Sequence, residues 1–280
     1  MIDPLVTTQW LADWLGEPEV QILDATWFMP GQGKTGADSY AEGHIPGAVR
    51  FDIDQIADQS TDLPHMLPSA NDFATMAGAL GLRRDHIVIV YDAQGLFSAP
   101  RVWWMLRVMG FPEVFVLDGG LRKWRAEGRL IEREAREFPA SRLPSRIQPS
   151  LVSDLAAVHE LLGSASAQII DARPAGRFRG ENPEPRAGLR SGHMPGARNL
   201  PWDAVVNADG TLRRADELRS LFETAGVDLA APIVTTCGSG VSASLLALAL
   251  ARVSRSDVAV YDGSWTEWGG RADTPVVTGA

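Results

Sequence analysis

The chain has 280 residues, 45% of them hydrophobic and 22% charged, the make-up of a globular protein long enough for two domains with full cores. A net charge of −9 excludes a protein built to coat nucleic acid, which needs clustered positive charge. Cys237 is the one cysteine, which excludes an intramolecular disulfide and any zinc site made of several cysteines.

At the N-terminus, Met1-Ile2-Asp3-Pro4 has no basic region leading into an apolar run, so no signal peptide is expected. The most apolar stretch, 245–251, is far shorter than the roughly 20 residues that span a bilayer, so no membrane partner is expected. A cytoplasmic chain with a reduced thiol is the expectation. Asn71-Asp72 reads as a helix cap. Residues 87–91 read as a strand, 100–109 as a helix, 114–117 as a strand and 121–127 as a helix. Residues 133–150 are rich in Arg, Pro and Ser and lack periodicity. Ser153-Asp154 caps a helix reaching Leu162, after which 232–236 is a strand, 241–253 a helix and 258–261 a strand. Strands alternating with helices imply parallel sheets covered on both faces, an α/β fold.

Four motifs recur in the same order at a spacing of roughly 145 residues. Leu23-Asp24-Ala25 returns as Ile170-Asp171-Ala172, and Gly43-His44-Ile45-Pro46-Gly47-Ala48 as Gly192-His193-Met194-Pro195-Gly196-Ala197. Asp118-Gly119-Gly120 returns as Asp262-Gly263-Ser264, and Trp124 as Trp268. A repeat of domain size means duplication rather than a solenoid. The expected organisation is a first domain at 1–135, a linker at 136–150 and a second domain at 151–280.

Cys237 sits where an apolar strand ends, ahead of Gly238-Ser239-Gly240 and a strongly helical run from Val241. Open parallel sheets place their sites there. Two glycines let the backbone curl with N–H groups pointing inward, and the next helix presents its positive end to the same point. Negative charge on sulfur is stabilised in such a place, on a thiolate or a persulfide. The alternative is a buried cysteine packing as a small hydrophobe. A cysteine phosphatase loop needs an arginine where this chain has Ala243, which disfavours phosphate-ester chemistry.

The run Cys237-Gly238-Ser239-Gly240-Val241-Ser242-Ala243 resembles the active-site loop of the 3-mercaptopyruvate sulfurtransferases of the rhodanese superfamily. The paired His-x-Pro-Gly-Ala motifs, the Asp-Gly-Gly and Asp-Gly-Ser turns, and Ser98-Ala99-Pro100-Arg101-Val102-Trp103-Trp104 extend the resemblance over nearly the whole chain. It implies two tandem rhodanese-like domains, each a parallel sheet flanked by helices, with the first domain catalytically silent. Tyr91-Asp92 stands in the first half where the second half carries Cys237. Thiosulfate enzymes of the superfamily resemble Cys-Arg-Lys-Gly at this loop, with cations for a dianion. The loop here has no cationic side chain.

Arginine grips a planar carboxylate through two parallel hydrogen bonds. The resemblance assigns the substrate's carboxylate and carbonyl to Arg177 and Arg186, with Arg179 structural, although any of the three read alone is also a solvated surface charge. The loop residues Gly238, Gly240, Val241 and Ser242 complete the binding set. The resemblance further implies a proton relay of Asp54, His65 and Ser239 to Cys237. Read alone, Asp54 and His65 are a polar cap and an ordered loop. The relay requires the fold to bring His65, from the first half, to Cys237. His44 and His193 occur in both halves and read as turn-fixing residues; His86 and His159 read as surface or packing residues. The histidine spacing matches no metal site, and no metal or organic cofactor is implied.

The expected activity is transfer of sulfur from 3-mercaptopyruvate through a Cys237 persulfide to thioredoxin, a small thiol or cyanide, with release of pyruvate. Two alternatives stand beside it: a thiosulfate:cyanide sulfurtransferase, and a persulfide-carrying binding module with little turnover.

Overall fold

The computed structural model describes residues 3–164 and 166–279. It divides into two compact units. The first holds residues up to Gln59, Leu67–Gln148 and Asn207–Leu212; the second holds Ser60–Met66, Pro149–Val206 and residues from Arg213 onward.

In the first unit the strands are β1 (Leu5–Val6), β2 (Val20–Asp24), β3 (Ala48–Arg50), β4 (Ile87–Tyr91) and β5 (Val114–Leu117). They form one parallel sheet in the order β1-β5-β4-β2-β3. The helices are α1 (Thr8–Asp13), α2 (Gly36–Glu42), α3 (Ala70–Ala79), α4 (Ala99–Val108) and α5 (Gly120–Ala126). In the second unit β6 (Val152–Ser153), β7 (Gln168–Asp171), β8 (Arg198–Asn199), β9 (Ile233–Thr236) and β10 (Ala259–Tyr261) repeat that order as β6-β10-β9-β7-β8. Its helices are α6 (Leu155–Ser164), α7 (Ala175–Phe178), α8 (Ala215–Thr224), α9 (Val241–Arg252) and α10 (Ser264–Trp268). Identical strand order in both sheets is the structural form of the sequence repeat.

The central strands β4 and β9 are nearly continuous runs of apolar or buried residues, as parallel strands covered on both faces must be. The core of the first sheet is built on Leu11, Ile22, Ile89, Leu117 and Trp124. That of the second is built on Val158, Ile169, Val234, Trp265 and Trp268. Helix α9 is apolar around its whole circumference and correspondingly buried.

One local expectation needs correction, and the grouping of residues adds detail to the expected domain bounds. The cap of α3 is Ser69, whose side chain accepts the Asp72 N–H at 3.2 Å, so Asn71-Asp72 lies inside the first turn. The residues of the expected linker at 136–150 group with the first unit as far as Gln148. They are fastened there by hydrogen bonds from Ser141 N–H to Gly78 O at 2.9 Å and from Gln148 N–H to Val108 O at 2.7 Å. Finally, each unit includes one short segment from the other half of the sequence. Residues 207–212 group with the first unit, where the Leu212 N–H donates to Asp118 Oδ1 at 2.8 Å. Among the described residues, no helix is long and apolar enough to cross a membrane.

Loss of the α3 cap should be measurable. Ser69→Ala should destabilise the protein by about 1 kcal/mol, read as a lowered midpoint of thermal or urea unfolding.

Candidate active site

The chain changes direction across the second sheet between β7 and β9: β8 lies beyond β7 on one side, β10 and β6 beyond β9 on the other. Open parallel sheets bind ligands at such a switch point, past the carboxyl ends of the strands. Cys237 is the first residue after β9 and is only 2% exposed. Gly240 then turns the chain into α9 at φ +77°, a left-handed conformation that glycine adopts freely. The first turn of α9 has no intrahelical acceptors for its N–H groups, so it presents donors and a positive dipole end toward the loop.

The loop is pinned from α10. Ser264 Oγ accepts the N–H groups of Cys237 at 3.2 Å and Gly240 at 3.0 Å, and donates to Tyr261 O at 2.8 Å. Gly238 O accepts both the N–H and the hydroxyl of Thr266, at 2.9 and 2.6 Å. The Cys237 carbonyl accepts the Trp265 N–H at 2.9 Å. Ser264 has φ +50°, a strained value for a residue with a Cβ, while its counterpart in the first unit, Gly120, has φ +53°. The second unit thus carries strain at this turn, and what it gains is a hydroxyl beneath the cysteine loop.

The first unit shows what such a loop binds. Strand register aligns Asp24 with Tyr91 in one sheet and Asp171 with Thr236 in the other, so Asp92 occupies the place of Cys237. The fully buried Asp92 carboxylate accepts N–H groups from Gln94, Phe97, Ser98 and Ala99 at 2.8–2.9 Å. Burial pushes this carboxyl up from its usual range, and the four donors oppose that shift. In the first unit the strand-to-helix loop therefore closes around a carboxylate supplied by the protein itself.

Both arginines expected to hold substrate reach the cysteine loop. A Cβ placed on Gly238 would lie 3.4 Å from Arg177 Nη2 and 4.0 Å from Arg186 Nη1. Arg177 is bound through Nε and Nη2 to Glu184, whose side chain is 1% exposed. The other Glu184 oxygen accepts from Arg173 Nη1 at 2.8 Å. Arg173 is buried, paired with Asp171 at the end of β7 at 2.6 Å, and stacked over the Trp265 ring at 4.0 Å. Burial opposes its charge, but the carboxylates of Asp171 and Glu184 outweigh that and raise its pKa.

The remaining expected residues divide. Ser239 and Val241 are buried beside Cys237, and Ser242 is partly exposed at the start of α9. Gly240 contributes its conformation, since its N–H is committed to Ser264. His65 is buried with φ +63°, and its segment belongs to the second unit together with Cys237. Asp54 belongs to the first unit, where it is exposed and its Oδ2 accepts the Trp27 indole N–H at 2.8 Å. Arg179 pairs with Glu181 at 2.7 Å on the surface. His44 and His193 are structural: each Nδ1 lies 2.8 Å from a backbone carbonyl, of Tyr40 and Phe178, and each ring stacks on the same residue's ring.

Sequence reasoning missed Arg173, Glu184, Ser264 and Thr266. Two of them leave a signal in the repeat. Ser264 replaces Gly120 within an otherwise matching turn, and Arg173 replaces Thr26 directly after Asp-Ala.

Removing the Ser264 hydroxyl leaves two buried N–H groups without their acceptor. Ser264→Ala should therefore destabilise the protein by about 1–3 kcal/mol in thermal unfolding.

A model described as Rhodanese-like domain matches residues 7–127 and 154–271. A protein of Escherichia coli K12 named 3-mercaptopyruvate sulfurtransferase is 47% identical over 272 residues, 97% of this chain and 96% of that protein. One of Arabidopsis thaliana, named thiosulfate/3-mercaptopyruvate sulfurtransferase 1, mitochondrial, is 42% identical over 98% of this chain and 78% of its own length. A crystal structure of an Escherichia coli protein, described by the rhodanese fold and catalytic mechanism of 3-mercaptopyruvate sulfotransferases, matches with a TM-score of 0.87. It is 44% identical and covers 94% of this chain and 99% of that one.

Proposed function

The chain belongs to the rhodanese-like family, and on that premise we propose that it is a sulfurtransferase that takes sulfur from 3-mercaptopyruvate and passes it through Cys237 to an external acceptor. One observation carries this reading. Arg177 and Arg186 converge on Gly238, next to a cysteine in an anion-seeking loop. A nucleophile beside a carboxylate clamp fits an α-keto acid with a sulfur at its third carbon. The names of the Escherichia coli and Arabidopsis relatives support the same donor.

In the reaction, the Cys237 thiolate attacks the sulfur of 3-mercaptopyruvate while Arg177 and Arg186 hold its carboxylate and ketone. The Cys237–sulfur bond forms as the sulfur–carbon bond breaks, and the electron pair passes to carbon as pyruvate enolate. The substrate's thiol hydrogen stays on the outer sulfur of the new persulfide. Proton delivery to the enolate falls to Ser239, supported by His65, and produces pyruvate. The persulfide loses its own proton to become an anion, cradled by the N–H groups of Gly238, Ser239, Val241 and Ser242. Asp54 completes the proton relay by orienting His65.

An acceptor thiolate, from thioredoxin or a small thiol, then takes the outer sulfur and returns Cys237 as a thiolate. A second thiol releases that sulfur as hydrogen sulfide, while cyanide accepting directly forms thiocyanate. A thiolate nucleophile fits a reducing, cytoplasmic setting. The first unit is the silent one, because Asp92 holds the place of the nucleophile.

Mass spectrometry after treatment with 3-mercaptopyruvate should show one added sulfur on the Cys237 peptide and none elsewhere. Cys237→Ser should abolish pyruvate release; retained turnover would contradict the reading. Arg186→Gly should raise KM for 3-mercaptopyruvate by roughly tenfold or more, corresponding to a lost charge-assisted contact of about 1.5–3 kcal/mol. Steady-state rates with thiosulfate and with 3-mercaptopyruvate settle the donor, and a clear preference for thiosulfate would overturn it.

A further inference from the structure

We propose that Glu184 is a positioning residue of the sulfurtransferase site, tying the substrate-holding guanidinium of Arg177 to the rigid central sheet; this rests on the donor-binding role of Arg177 given above. The structural basis is a continuous chain of charged contacts. It begins at Asp171, the last residue of β7. Arg173 binds Asp171 through Nε and Nη2, donates to Gly192 O at 2.8 Å, and lies over the Trp265 ring. Its third nitrogen holds one oxygen of Glu184, and the other oxygen of Glu184 binds two nitrogens of Arg177. The Arg177 Nη2 of that pair is also the atom nearest the Cβ position of Gly238.

The repeat argues that this chain is not needed by the fold. In the first unit the position of Arg173 is Thr26; Asp24 and Asp171 each accept the N–H two residues on at 2.9 Å, and Asp171 accepts the Arg173 guanidinium in addition. The strand order is unchanged. Taking charges out of water is unfavourable unless geometry and hydrogen bonding are good. The second unit nevertheless buries Asp171, Arg173 and Glu184, each with a side chain 1% exposed, and leaves Arg177 at 20%. The partly exposed end of the chain is therefore the one beside the cysteine loop. An arginine side chain has four rotatable bonds, and holding it on an immobile carboxylate removes the ordering that a substrate would otherwise impose.

Glu184→Gln keeps the shape and removes the charge. A guanidinium that binds the substrate equally before and during reaction acts on KM, not kcat. In steady-state assays with 3-mercaptopyruvate, KM should rise about tenfold with kcat within about threefold. In an Arg177→Ala background the same substitution should change KM by less than about twofold, because a strut has no effect once the group it holds is gone. Removing a buried charge lowers the unfolding midpoint under either reading, so the discriminating readout is KM: a merely structural role would multiply with Arg177→Ala. An unchanged KM in folded Glu184→Gln, or full multiplication of the two effects, overturns the proposal.

If Glu184→Gln does not fold, Glu184→Asp carries the same test. It keeps the charge and withdraws the carboxylate by one methylene, so KM should rise alone and not in the Arg177→Ala background; an unchanged KM, or a rise in both backgrounds, overturns the proposal. The unsubstituted protein is assayed first. Absence of pyruvate release there refutes the donor assignment, whereas pyruvate release with an unaffected variant refutes only the role of Glu184.

Discussion

Where a central parallel strand turns directly into a buried helix, backbone N–H groups converge with no backbone acceptor in reach, and this constraint governs both units. Buried donors need a partner. In the first unit the partner is the carboxylate of Asp92, bonded by four amides of its own loop. In the second unit the residue at that place is Cys237, and the loop after it is shorter: three residues, 238–240, separate Cys237 from α9. Ser264 takes up two of the N–H groups there. A persulfide anion is a suitable partner for the others. The same backbone geometry thus gives a loop filled by a carboxylate in one copy and, on the function proposed above, a place for a charged sulfur intermediate in the other.

Around this loop the second unit spends burial on charge in a way the first does not. The carboxylates of Asp171 and Glu184 alternate with the guanidiniums of Arg173 and Arg177, so the four charges balance. Balance matters because an uncompensated charge at such burial would be strongly destabilising. It also explains how an arginine can be kept beside a buried thiol without the neighbourhood becoming generally cationic. The loop itself supplies no cationic side chain, so its attraction for anions comes from backbone dipoles and from arginines placed by other elements.

Much of this was legible in the sequence because it is written locally. Apolar runs marked β4, β5 and β9, and the glycines after Cys237 marked the turn. The repeat revealed two copies of one sheet. What remained hidden depends on how side chains close on one another in three dimensions. Glu184 looks like any loop carboxylate until Arg173 and Arg177 close on it. Ser264 lies 27 positions from Cys237, and only its mismatch with Gly120 hinted at a special role. Position assigns His65 to the first half, yet its segment groups with the second unit and leaves the one that its sequence neighbours build. The α3 cap was misplaced by two residues because Ser69, Asn71 and Asp72 are all good capping types, and only geometry selects among them.

The single cysteine gains a chemical meaning from its surroundings. Many thiol enzymes discharge an oxidised or sulfur-loaded cysteine by attack from a second cysteine of the same chain. Here no such residue exists, since Cys237 is the only cysteine of the 280 residues. A persulfide formed on it has no internal thiol to which it can pass its sulfur. Its lifetime is therefore set by how well the loop N–H groups stabilise it and by the arrival of an outside nucleophile. Stabilising the anion lowers the intermediate's energy but also makes its sulfur less electrophilic, so the cradle must hold the persulfide without trapping it. Committing the Cys237 and Gly240 N–H groups to Ser264 limits the donors left for the sulfur. On the function proposed above, the hydroxyl of Ser264 thereby bears on the second half-reaction as well as on the shape of the site.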